Sequence, residues 1–275
     1  MDIHWATVVI PTAISGISGL IGYFTFRHAQ KQLKIERDRA AAENDKSDII
    51  KAVDLAKYFA TEIIPLSAAI QTVYQRRDAI NNMTKKLKKK RSDGDIDFTY
   101  DEMVELFTEK ELTDIAAAVD PRGMTCGEYC SSEMYFRKNL TEEHLRELIE
   151  QAGTKIKDLK DVHLRGTCTY GFTTTKDTLL NSLEYFALCF NTDIADKKTV
   201  YQSLHQMFLG AGAMMYYDIA QQNKDPKDYF YTNIRKLFNE WNREFNDQRK
   251  EESQLQNNLK SRRKGITRET NSYKK

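Results

Sequence analysis

Cys126-Gly127-Glu128-Tyr129-Cys130 sets two thiols three residues apart, the spacing nearest to half a zinc site in this chain. A zinc ion takes thiolate and neutral imidazole, so His144 and His163 are the residues that would complete the set. No second pair of this kind exists, and Gly127 weakens the helical geometry that would turn both thiols to one side. Burial as small hydrophobic groups is the preferred reading, and no metal or other cofactor is expected. Arg137 and His144 have a spacing superficially like that of helical ribonucleases, but a helix starting at Thr141 would separate them. Glu184 and Asp193 could pair as carboxylates, although helix-start and interhelical roles explain both. His205 stands among Leu204, Met207 and Phe208, which suits a satisfied, half-buried imidazole. No Gly-rich phosphate loop, His-Glu-x-x-His or Gly-x-Ser-x-Gly motif is present, so no catalytic residue is assigned and enzyme activity is the minority reading.

A surface for anions is the other chemistry on offer. Lys85, Lys86, Lys88, Lys89, Lys90 and Arg91 could meet anionic lipid or nucleic acid, because either polyanion releases counterions to clustered cations. No aromatic residue interleaves the run, which weakens the case for single-stranded nucleic acid. A solvated helix end explains the same residues, since cations suit the negative end of the helix dipole. The Asp93-Gly94 turn signal that follows makes residues 85–97 either an exposed loop or a fraying helix end.

The elements that must position these groups read as helices. Hydrophobic residues make up 40% of the 275, Gly (12) and Pro (4) are scarce, and apolar residues recur near every 3.6 positions. The fold class expected is all-α: one N-terminal transmembrane helix followed by a cytoplasmic helical bundle. Residues 5–26 form an uncharged run of 22, long enough for a hydrocarbon core of about 30 Å. The four residues before it lack the basic stretch of a signal peptide. Arg27, Lys31, Lys34, Arg37 and Arg39 follow it, which places the N-terminus outside and the remainder in the cytoplasm. Ser15, Gly19 and Gly22 have the small-residue spacing that lets membrane helices approach, making self-association a candidate role. Residues 27–47 read as a solvated helical stalk, 48–247 as the helical domain and 248–275 as a basic, largely disordered tail.

Within the domain, Pro65 should bend or divide a long apolar helix that begins near Ser47. Thr108 and Glu111 make a capping box for a helix ending before Pro121, and another helix is expected from Thr141 to Gly153. Residues 122–140 are ambiguous. Three strong helices follow: Thr175 to Phe190, Lys197 to Ala220, and one opened by Asp225 and Pro226. Gly210 and Gly212 imply close packing of the middle one.

The apolar span, its basic exit and Leu180-Asn181-Ser182-Leu183-Glu184-Tyr185-Phe186 together resemble an uncharacterised family of bacterial membrane-anchored helical proteins. That resemblance implies an inner-membrane setting and a role in phage exclusion or defence, but no activity or site residue. A membrane-tethered interaction or effector module is therefore the leading expectation, its partners the lipid bilayer and either another protein or a second copy. An anchored nuclease or other hydrolase and a membrane-perturbing oligomer are the alternatives, with nucleic acid the weaker partner.

Overall fold

The structure is a computed structural model that describes residues 46–133 and 161–272, apart from 226 and 228, and in addition 143 and 147. Every regular element among the described residues is helical, and they form a bundle. Helix α1 (Lys46–Tyr58) runs through a π-helical segment, Phe59–Ile63, into α2 (Ile64–Tyr74). Pro65 has no amide hydrogen to give, and the division falls just before it, where the Ile64 amide donates to the Phe59 carbonyl. The predicted interruption is thus a π segment.

Helix α3 (Asp78–Asp93) follows, then α4 (Tyr100–Leu106) and α5 (Glu109–Val119). The Thr108 and Glu111 capping box forms as expected, and α5 stops before a 3-10 turn at Pro121–Gly123. The ambiguous stretch begins with a helix, α6 (Cys126–Glu133), opened by a second pair of reciprocal bonds between Thr125 and Glu128. Long α7 (Asp161–Asn191), α8 (Lys197–Met214), α9 (Tyr216–Gln222) and α10 (Thr232–Ser272) complete the set.

Helix α7 lies at the centre of the bundle. Phe186 packs against Phe59 at 4.8 Å and Phe190 at 4.9 Å, and Trp241 of α10 closes over both α7 rings and over Phe208 of α8. A methyl group at Gly212 would meet the Phe238 ring at 2.8 Å, so α8 and α10 touch there, whereas Gly210 faces open space. Close packing explains one of the two glycines.

Two sequence expectations are corrected. The helix read from Lys197 to Ala220 breaks at Met215, whose φ of −90° and ψ of 5° leave the helical region. The last helix starts at Thr232 rather than at Asp225. Tyr231 takes a left-handed φ of 57°, which a helix cannot pass through, and Asp225 instead accepts the Lys227 amide in a local turn. At the far end, α10 extends through Ser272. The membrane span at 5–26, the stalk up to residue 45, the Ser15, Gly19 and Gly22 face and the helix from Thr141 lie outside the described residues. Among the described residues no helix is long and apolar enough to cross a membrane.

Candidate functional site

The lysine-rich run is helical, which removes the loop reading. In α3, Ile80, Met83 and Leu87 recur at helical spacing and are buried, so the opposite side must face solvent. Lys85, Lys88 and Lys89 lie on that exposed side. The other cations differ. Lys86 reaches 2.7 Å from the Glu111 carboxylate and lies over the Phe107 ring. That hydrogen bond, with those from the Thr108 amide and hydroxyl, holds the Glu111 carboxyl down to about 2. Arg91 turns inward: its Nε donates to Asn242 at 3.0 Å, its guanidinium stacks over Phe238, and burial lowers its pKa. The six-residue candidate surface therefore divides, with Lys86 and Arg91 joined to the fold and Lys90 half-buried.

Arg91 belongs to a clamp that the sequence reading missed. Asn239 accepts the Ile96 amide at 2.9 Å and donates to the Ile96 carbonyl at 2.8 Å, an amide side chain pairing with backbone as a strand would. Asn242 and Asn246, one and two turns on along α10, both donate to the Arg91 carbonyl. Three asparagines along one helix face were a visible signal, but their partner lies about 150 positions away and leaves no periodic trace.

A polar centre is buried where α2, α7 and α9 meet. Lys176 of α7 and Asp218 of α9 form an ion pair at 2.5 Å, with both side chains largely withdrawn from solvent. Burial raises the Asp218 carboxyl and Lys176 pulls it back. The Tyr74 hydroxyl and Asp218 Oδ2 have no hydrogen-bond partner among the described residues, and burial followed by the Asp218 charge pushes the Tyr74 phenol well up. Nearby, Glu102 accepts from the amides of Asp97 and Phe98 and from the Tyr216 hydroxyl, fixing Phe98 at a left-handed φ of 54°. Such a conformation costs about 1–3 kcal/mol in a residue with a side chain. These groups hold helices and turns together, and the raised phenols cannot serve as bases near neutral pH.

The residues first considered for chemistry do not converge. Arg137 and His144 lie outside the described residues. Cys126 and Cys130 both fall on α6, Cys130 is buried, and among the described residues no three His, Cys, Asp or Glu side chains are placed to hold a metal ion. Glu184 receives the Asn233 and Ile234 amides and so caps α10 from α7, while Asp193 sits in the turn after α7 at a φ of 54°. The interhelical role expected for Glu184 is what its contacts show.

His205 is 6% exposed, stacked on Tyr201 with centroids 4.5 Å apart, and its Nδ1 lies 2.7 Å from the Tyr201 carbonyl. A carbonyl only accepts, so Nδ1 carries the hydrogen. Burial pushes the imidazole below its ordinary value; the bond to the Tyr201 carbonyl opposes this and nearby Arg91 adds to it. With the folded value depressed, protons bind the unfolded chain first. This contribution to stability is complete above about pH 6.5 and is lost as pH falls through the lower folded value. His205→Phe keeps a ring beside Tyr201 and Phe245 but cannot titrate. Its melting temperature should fall less than the wild-type value between about pH 7.5 and about pH 5. Equal falls would remove His205 as the source.

No protein-family model matches the chain, and no curated protein or solved structure is significantly similar to it. The arrangement must be interpreted from its own chemistry. Side chains of both exposed aromatic and aliphatic type cluster on α7: Tyr185 is 52% exposed, Leu188 one turn on is 40% exposed, and Tyr58 of α1 meets the Tyr185 ring edge-on at 5.6 Å. A shallow surface groove beside Arg122, Arg165 and Tyr170 lies further back along the same helix.

Proposed function

We propose that the chain is a helical interaction module tethered by residues 5–26 to the cytoplasmic face of a bacterial inner membrane. The observation that carries this reading is the outward Tyr185 and Leu188 surface, with partly buried Tyr58 at its edge, on a bundle that holds the Lys176–Asp218 pair inside. Exposed large side chains grouped this way favour contact with another macromolecule over turnover of a small one. Phage exclusion is the setting that the family resemblance implies.

The tether and the module are tested separately. Deleting residues 1–28 should move the protein from the membrane fraction to the soluble fraction with its helical spectrum intact. The native full chain should form a crosslinked adduct in cells, and a Tyr185→Glu/Leu188→Glu variant should keep its melting temperature but lose that adduct. A deletion that stays with the membrane would sink the tether. An adduct that survives both substitutions would remove this surface as the interface.

A further inference from the structure

We infer that the exposed face of α3, Lys85, Lys88 and Lys89, rests on the phosphate-bearing headgroups of an anionic bilayer and fixes the orientation of the tethered domain. The inference rests on the membrane tether proposed above and names what the domain does once tethered.

Three lysines elsewhere on the surface are matched within their own helices. Lys51 pairs with Asp48, Lys57 with Asp54 and Lys250 with Asp247, each three residues apart. Helix α3 has no such internal match for its central lysines. Its acids are Asp78 and Asp93, at its two ends, and among the described residues no carboxylate lies within ion-pair distance of Lys85, Lys88 or Lys89. Instead Lys85 has Lys88 and Lys89 as neighbours at spacings of three and four, where like charges destabilise a helix by about 0.2–0.5 kcal/mol per pair. The helix dipole compensates cations in the last turn, which covers Lys90 and Arg91 but not Lys85. An uncompensated row of three ammonium groups is a surface that an external polyanion would stabilise.

Among polyanions, the observations favour lipid. None of the large exposed aromatic or aliphatic side chains among the described residues lies on α3, so that helix offers no stacking platform for bases beside the lysines. Ammonium groups on flexible stems bind headgroup phosphates as point charges without needing a shaped pocket, and the tether already holds them near such a surface. Each lysine at an anionic surface strengthens attachment about fivefold, so the three together shift the docked-to-free ratio about 100-fold.

The test uses the full chain reconstituted into vesicles of phosphatidylcholine alone or with about one-third phosphatidylglycerol, washed with alkaline carbonate to confirm integral insertion. Lysine acylation is then followed residue by residue by mass spectrometry. Lys85, Lys88 and Lys89 should react about fivefold or more slowly in the anionic vesicles and recover at about 1 M salt, where the screening length falls to about 3 Å. Lys57, held by Asp54, should react equally in both. Equal rates at the three lysines, in protein that stays inserted, would overturn the lysine face and leave the tether standing. Release by carbonate would overturn the tether and this inference with it. Protection in phosphatidylcholine vesicles on adding RNA or duplex DNA, without protection by phosphatidylglycerol, would replace lipid with nucleic acid.

Discussion

Lys176→Met should destabilise the domain by about 3–5 kcal/mol, because it leaves the buried Asp218 carboxylate without its counter-charge. The pair joins two helices: α7 supplies the ammonium, α9 the carboxylate, and Tyr74 of α2 adds an unpartnered hydroxyl. Replacing both partners, as Lys176→Met/Asp218→Leu, removes the desolvated charges together and should bring stability back to near the wild-type value or above it. Urea denaturation of the two single variants and the double variant gives the coupling directly. The pH dependence supplies a second readout. Burial already raises the Asp218 carboxyl, and without Lys176 it rises further. A raised folded-state value makes the stabilising contribution complete below the unfolded value of about 3.9 and removes it as pH climbs through the folded value. The deficit of Lys176→Met should therefore shrink as pH falls. A double variant as unstable as the singles would show that the side chains matter for their shape and not for their charge.

Trp241→Ala should cost a similar amount, about 3–5 kcal/mol, for an unrelated reason. This side chain is 1% exposed and touches Phe186 and Phe190 of α7 as well as Tyr201 and Phe208 of α8, so it is where three helices share one packing site. Truncation removes the transfer free energy of a large ring and leaves a cavity that stiff neighbouring aromatics cannot fill. Trp241→Phe retains most of the contact and should lose less than half as much. A denaturation midpoint for Trp241→Ala close to that of the native protein would mean that α10 is not needed to close the core.

Several features were legible because their cause is local. The apolar repeat near 3.6 residues identifies the helical class, Thr108 and Glu111 identify the start of α5, and Pro121 its end, since each signal acts within a turn of the residue that carries it. Pro65 announced an interruption for the same reason, though not that a π segment would make it. Asp225 and Pro226 carried a start signal just as clear, yet α10 begins seven residues after Asp225 because Asn223 holds the Phe230 backbone and Glu184 supplies the cap from another helix. The candidate surface followed the same division. Composition alone marked Lys85 to Arg91 as basic, but which of the six face outward depended on Glu111 and Asn242 arriving from elsewhere in the chain. The sequence by itself determined the helical class, the local caps and the excess of charge on α3. The tertiary structure decided where helices break, which cations remain on the surface and which polar groups are buried. The physical reason is that most of those outcomes turn on contacts between residues far apart in the chain, such as Lys86 with Glu111, 25 positions on, and Arg91 with Asn242, 151 positions on, and such contacts impose no period on the chain that makes them.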